Sequence, residues 1–260
     1  MAEAWTTSTA PVTAAEPQVR RIEVRDLGIA LRRGLADFLE TPTQLIFLCV
    51  LYPLIGLVAA TLAAGGNAMH LFYPMAAGFA LVGPIAALGL YEISRQRERG
   101  LPASWVNVFD VLSSPAIGSI FALGVLLLAI FMAWLWTADA IYAATLGSVP
   151  RTDFLTALTT TPEGTRMIII GNAVGFLFAA AVLVLTALSF PMLLDRNCGV
   201  ARAVATSVRA FAVNPLPMTL WGLIVAVLLL IGSIPLFVGL AVVLPILGHA
   251  TWHLYRLVVR

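Results

Sequence analysis

The chain has 260 residues, of which 60% are hydrophobic and only 11% are charged, with a mean hydropathy of +0.97. A soluble globular domain carries about 25% charged residues, so this composition excludes one and points to an integral membrane protein. The net charge of +2 comes from 15 arginines against 13 acids, with no lysine, and no basic run is dense enough to suggest nucleic-acid binding.

The first 26 residues are rich in Ala, Thr, Glu and Pro. They lack an apolar core between a basic start and a cleavage site, so they do not read as a signal peptide. They are expected to be a disordered cytoplasmic arm, because they have little to bury against their chain entropy. Residues 27–260 are expected to form the membrane domain.

Apolar runs with almost no charge fall at 44–64, 70–91, 116–138, 167–190, 216–233 and 235–255. Each is near the roughly 20 residues that one bilayer crossing needs, and only helices satisfy their own backbone in lipid. The expected fold is all-α and polytopic, with six transmembrane helices. The last two runs form a hairpin with a tight turn at Gly232-Ser233-Ile234-Pro235, where Gly relaxes the backbone and Pro interrupts the ladder. Cys49 lies in an apolar run and Cys198 in a polar loop, so no disulfide framework is expected.

Orientation follows from the arginines. Arg20, Arg21, Arg25, Arg32, Arg33, Arg95, Arg97, Arg99, Arg196, Arg202, Arg209, Arg256 and Arg260 fall on one side of this topology, and Arg151 and Arg166 on the other. The positive-inside rule makes the arginine-rich side cytoplasmic, with both termini inside.

Between the spans, Leu27, Leu31, Leu35, Phe38 and Leu39, then Trp105, Val108, Phe109 and Leu112, then Val200, Val204, Val208 and Phe211 recur at helical spacing. They predict three amphipathic helices at the inner interface, with Arg32, Arg33, Arg202 and Arg209 on polar faces. Each is followed by a polar residue and a proline, at Thr41-Pro42, Ser114-Pro115 and Asn214-Pro215, a helix-start signal. Pro84, Pro191 and Pro245 each stand eleven residues before an arginine, Arg95, Arg202 and Arg256. Together these features predict three repeats of interfacial helix plus transmembrane hairpin, over 27–95, 103–196 and 199–256.

Few residues carry chemistry. His249 and His253 share a helix face at i, i+4 spacing, which suits a metal or haem, but the third histidine, His70, is expected at the opposite surface. A structural role is therefore expected, with Trp252, His253, Tyr255 and Arg256 as an interfacial anchor and His249 bonded within the bundle. No metal or other cofactor is expected. Glu92 and Asp195 end corresponding helices, and His253 takes the Glu92 place when the prolines are aligned, so Glu92, Asp195, His249 and His253 form the candidate polar cluster at the cytoplasmic mouth. Small residues at Ala76 and Ala80, Gly118 and Ala122, and Gly171 and Gly175 suit close helix packing. No catalytic residues are assigned, since no nucleophile motif, phosphate-cradling loop or carboxylate dyad is visible.

The stretches Leu244-Pro245-Ile246-Leu247-Gly248-His249-Ala250-Thr251-Trp252-His253-Leu254-Tyr255-Arg256, Phe190-Pro191-Met192-Leu193-Leu194-Asp195-Arg196 and Gly83-Pro84-Ile85-Ala86-Ala87-Leu88-Gly89-Leu90-Tyr91-Glu92 resemble an uncharacterised family of bacterial integral membrane proteins, a domain of unknown function. The resemblance is expected to extend over nearly everything after the arm. It is looser to other six-span bacterial families, including the membrane domain of some glycerophosphodiester phosphodiesterases. It implies a bacterial inner-membrane protein with six helices and no established activity.

The functional expectation is a non-enzymatic accessory, assembly or regulatory component. It would lie in the lipid bilayer and contact a protein partner through its cytoplasmic amphipathic helices, without nucleic acid. A transporter of a small or lipid-like molecule is the alternative, and an accessory subunit of a respiratory oxidase a further one.

Overall fold

The computed structural model describes residues 17–42, 69–75, 83–85, 87–149, 154–235 and 238–260. Among these the protein is all-helical, apart from one isolated antiparallel bridge between Val19 and Val259. The first expected span, 44–64, lies outside the described residues, and the second is described only in part.

Helix α1 runs from Val24 to Glu40. It starts at a capping box, where the Glu23 N–H donates to Asp26 Oδ2 at 2.8 Å, and stops at Thr41, which Pro42 holds out of the helical region. Helix α2, Leu88–Glu98, ends in a Schellman turn. Gly100 adopts φ +70°, its N–H reaches the Arg97 carbonyl, and the Leu101 N–H reaches that of Gln96. A 3₁₀ helix, Trp105–Ser113, follows.

Three long apolar helices come next in the chain. Helix α3 spans Ile117–Thr145. The short α4, Phe154–Thr160, leads to α5, Pro162–Thr186, whose N-cap Thr161 accepts from the Gly164 N–H. Helix α5 runs almost directly into α6, Ser189–Arg196. Left-handed Asn197 and Gly199 then turn the chain into α7, Val200–Val213, and α8 spans Pro215–Ser233. Ile117–Thr145, Pro162–Arg196 and Pro215–Ser233 are long and apolar enough to cross a membrane, matching the third, fourth and fifth expected spans. The last helix, α9, is Leu240–Val258. It is helical where the sixth span was expected, but it is not among the three helices apolar enough to cross.

Helix α9 is the hub. In its C-terminal half Ala250, Trp252, Leu254 and Tyr255 are fully buried, with α1, α2, α6 and α8 packed around the helix. Small residues permit the closest approaches: a Cβ on Gly34 would lie 2.5–2.7 Å from Ala250, and one on Gly248 would strike the Leu90 side chain. The α8–α9 connection falls later than the expected Gly232–Pro235 turn, since Gly232 and Ser233 still belong to α8 and α9 begins at Leu240, and Gly232 and Gly239 approach closely across it.

Several sequence expectations change here. Residues 17–26 are not a disordered arm: Gln18 and Arg20 pair with Arg260 and Val258, and Val24 already begins α1. The Asn214 side chain does not cap α8. It clamps that N-terminal segment instead, donating to the Arg20 carbonyl at 2.9 Å and accepting from the Ile22 N–H at 2.8 Å. The eleven-residue spacing does not mark equivalent structure either. Pro245 and Arg256 share one helix, whereas Pro191 and Arg202 are separated by the Asn197–Gly199 turn.

Candidate functional site

The polar centre of the molecule is a residue that periodicity alone did not single out. Asp37 lies on the stripe Leu27, Ala30, Gly34, Asp37 and Phe38, the buried face of α1, and is only 6% exposed. The close Gly34–Ala250 contact brings its carboxylate to α9, and α2 presents Ser94 and Arg97 from a second side. Asp37 Oδ2 lies 2.8 Å from His253 Nε2 and accepts from the Ser94 hydroxyl at 2.6 Å. Asp37 Oδ1 accepts from Arg97 Nε at 2.8 Å, and the same guanidinium also reaches Glu40.

Burial opposes ionisation of Asp37, but the donors from His253 and Ser94 and the neighbouring imidazoles outweigh it, so its carboxyl is held below the usual range. Arg97 is pushed up in turn: burial again opposes its charge, and Glu40 and Asp37 outweigh it.

His249 is fully buried and its Nδ1 lies 2.8 Å from Ser94 Oγ. Because the single Ser94 proton goes to Asp37, the shared hydroxyl is satisfied when His249 carries its proton on Nδ1. His249 Nε2 then has no hydrogen-bond partner among the described residues. The i, i+4 histidines thus act on one carboxylate, His253 directly and His249 through Ser94.

The four residues proposed from sequence do not share a contact. Glu92 is buried on α2, with Oε2 2.6 Å from Arg95 as an ion pair lacking a well-directed hydrogen bond, and Oε1 accepting from Gln96. Arg95 also donates to the Leu194 carbonyl on α6. Asp195 accepts from the Tyr255 hydroxyl at 2.7 Å and from Arg256 at 3.3 Å, and Arg256 pairs with Glu98, which also accepts from the Trp252 indole. Three adjacent polar clusters therefore stitch α1, α2, α6 and α9 together at one end, centred on Asp37, Glu92 and Asp195. Trp252 and Tyr255 are buried members of this lattice, not headgroup anchors.

Asp37, Ser94, Arg97 and Glu98 were missed. The available signal was an acid standing on the buried stripe of an amphipathic helix, three residues after a glycine.

His70 stands far from this end. Its ring stacks on Tyr142 at 4.0 Å, and Nε2 lies 2.8 Å from Asp139. Asp139 is 22 residues beyond Ile117 on α3, about 33 Å along the axis. Tyr73 bonds Asn172, and the Trp134 indole bonds the Pro74 carbonyl, fixing segment 69–75 to α3 and α5. No group of three or more His, Cys, Asp or Glu arranged to hold a metal occurs among the described residues.

Three helices long and apolar enough to cross a membrane, in a chain of mean hydropathy +0.97, mark an integral membrane protein. Residues 72–195 match the family described as "Predicted integral membrane protein (DUF2189)", a domain of unknown function. Gly83–Glu92 and all of Phe190–Arg196 but its last residue fall inside this match, while Leu244–Arg256 falls outside it, so the shown extent is narrower than the sequence suggested. No curated protein and no solved structure matches the chain.

Proposed function

We propose that the protein is a six-span component of a bacterial inner membrane with both termini in the cytoplasm. It serves as a non-enzymatic accessory, assembly or regulatory subunit that engages a protein partner through its cytoplasmic face. The observation that carries this reading is the contrast between the core and the inner surface. The buried polar side chains largely satisfy one another and tie α1, α2, α6 and α9 together, which is structural work. The elements beside them present apolar side chains outward: Leu35 and Leu39 on α1, and Val106, Phe109 and Leu112 on the 3₁₀ helix, the last 68% exposed.

The inside orientation is supported by the thirteen-to-two arginine asymmetry and by contacts that gather α1, the end of α2, the end of α6 and the C-terminus together. The repeat of interfacial segment before membrane helix draws support from α1, the 3₁₀ helix and α7, each followed by a proline.

Purification in mild detergent tests the role. A stoichiometric protein partner, lost on changing Phe109 and Leu112 to Ser, is the expected result; a lone monomer enclosing a polar central cavity would favour transport. Cysteines introduced at 96, 200 and 260 should label from the cytoplasmic side and one at 147 from outside, and an externally labelled position 200 would overturn the topology.

A further inference from the structure

Helix α7 carries two arginines, Arg202 and Arg209, seven residues apart, so both lie on one face about 10 Å apart along the axis. Both are exposed, and neither forms an ion pair with a described acid. No acid exists anywhere after Asp195 in the sequence. The same helix buries Ala203, Thr206, Ser207 and Ala210 against the bundle and leaves Val208 exposed beside the arginine edge, with Leu216 exposed at the start of α8. Through the Asn214 clamp, the backbone of Arg20 to Ile22 is fastened to the end of α7, and Arg20 and Arg21 are exposed there.

From this arrangement we infer that the α7 face and the clamped segment form a binding surface for anionic phospholipid headgroups. The inference rests on the reading of α7 as an interfacial helix. Among the described residues the charge of Arg202 and Arg209 has no counterpart, which leaves it to be balanced from outside. The neighbouring apolar side chains fit acyl chains, and the helix enters a membrane span directly through Pro215, which sets it at headgroup depth. A guanidinium presents paired donors that match a phosphate oxygen edge, so the recognised group is the phosphate of a lipid whose headgroup adds no compensating cation. Zwitterionic phosphatidylcholine carries that cation and is disfavoured.

The test uses the full chain in nanodiscs made from equal parts phosphatidylglycerol and phosphatidylcholine, followed by gentle detergent extraction and quantification of the lipids that stay bound. Each arginine near an anionic surface is worth about a fivefold gain in association. The wild type should therefore retain phosphatidylglycerol over phosphatidylcholine, and a chain with Arg202→Gln and Arg209→Gln should lose at least about fivefold of that preference. Both side chains are exposed, so the variant should remain monodisperse and folded. Arg166→Gln, at the far end of the molecule, should leave the preference unchanged. Equal retention of the two lipids by the wild type, no change in the double variant, or an equal loss in Arg166→Gln would each overturn the proposal. Because the nanodisc has the same lipids in both leaflets, the result does not depend on sidedness. Lipid preference without cytoplasmic labelling at 200 would sink the orientation and leave this surface standing.

Discussion

His253 Nε2 lies 2.8 Å from Asp37 Oδ2 across 216 positions of sequence, joining the last helix to the first. Around that contact, α1, α2 and α9 hold one carboxylate with a hydroxyl, an imidazole and a guanidinium. Removing the carboxylate leaves His253 and Ser94 buried without their shared acceptor and leaves half-buried Arg97 with Glu40 alone. Breaking a buried pair in this way costs about 3–5 kcal/mol. Asp37→Ala should therefore lower the thermal midpoint in detergent more than His253→Gln, which removes one hydrogen bond to a carboxylate worth about 1.5–3 kcal/mol. Equal midpoints for the two variants would show that the cluster is not the fastening point.

The same carboxylate sets a pH dependence. Its folded-state pKa is depressed relative to the unfolded chain, so its contribution to stability is fully present above the unfolded value of about 3.9 and is lost as pH falls through the folded value. Thermal midpoints compared at pH 7 and pH 3 should drop more for the wild type than for Asp37→Asn, which has no proton to take up at this position. Parallel drops would argue against an ionised Asp37.

Helix packing at the hub depends on one glycine. A Cβ on Gly34 would lie within 2.7 Å of the Ala250 backbone, whereas one on Gly28, on the same helix, meets nothing within 4 Å. Gly34→Ala should destabilise by about 1–3 kcal/mol through overpacking. Gly28→Ala should stabilise by up to about 1 kcal/mol through helix propensity. Opposite signs in one unfolding assay are the expected result, and a stabilising Gly34→Ala would contradict the close approach.

The Asn214 clamp is separable from the hub. Its amide makes one bond as donor and one as acceptor to the N-terminal backbone, which resembles a short strand pairing. Asn214→Ala should free residues 17–22, seen as faster limited proteolysis near Arg20 and Arg21, with a stability loss of about 1–3 kcal/mol. Unchanged cleavage would mean that the Val19–Val259 bridge alone holds the segment.

These contacts show why the sequence was legible in some places and not in others. The long apolar helices α3, α5 and α8 announce themselves, because bilayer thickness fixes both length and polarity. The start of α1 was within reach too, since Leu27 and Phe38 lie on the buried stripe. However, Leu35 and Leu39, chosen by the same periodicity, are exposed: in a membrane protein apolar side chains face lipid as readily as core, so hydrophobic spacing does not say which face is inside. The candidate site suffered from the same ambiguity. His249 and His253 were correctly placed on one helix face, but their partner Asp37 comes from a helix more than 200 residues earlier, and only the Gly34–Ala250 approach brings it near. Aligning prolines grouped Glu92 with His253, whereas in three dimensions Glu92 belongs to Arg95 and Gln96.

The final prediction concerns the two histidines as ligands. A shared metal or haem needs imidazole nitrogens with free lone pairs directed at one point. Here His253 Nε2 is committed to Asp37 and His249 Nδ1 to Ser94, which leaves His249 Nε2 as the one ring nitrogen identified as buried without a partner. The only other histidine, His70, is held by Asp139 at the far end of α3. The purified wild type should therefore show no Soret absorbance and no stoichiometric transition metal. His249→Gln, which removes a ring whose side-chain hydrogen bond is to a shared hydroxyl, should cost about 1 kcal/mol in stability with no loss of bound metal. One equivalent of haem or metal in the wild type, absent from His249→Gln and from His253→Gln, would overturn the structural role and give the respiratory-subunit alternative first place.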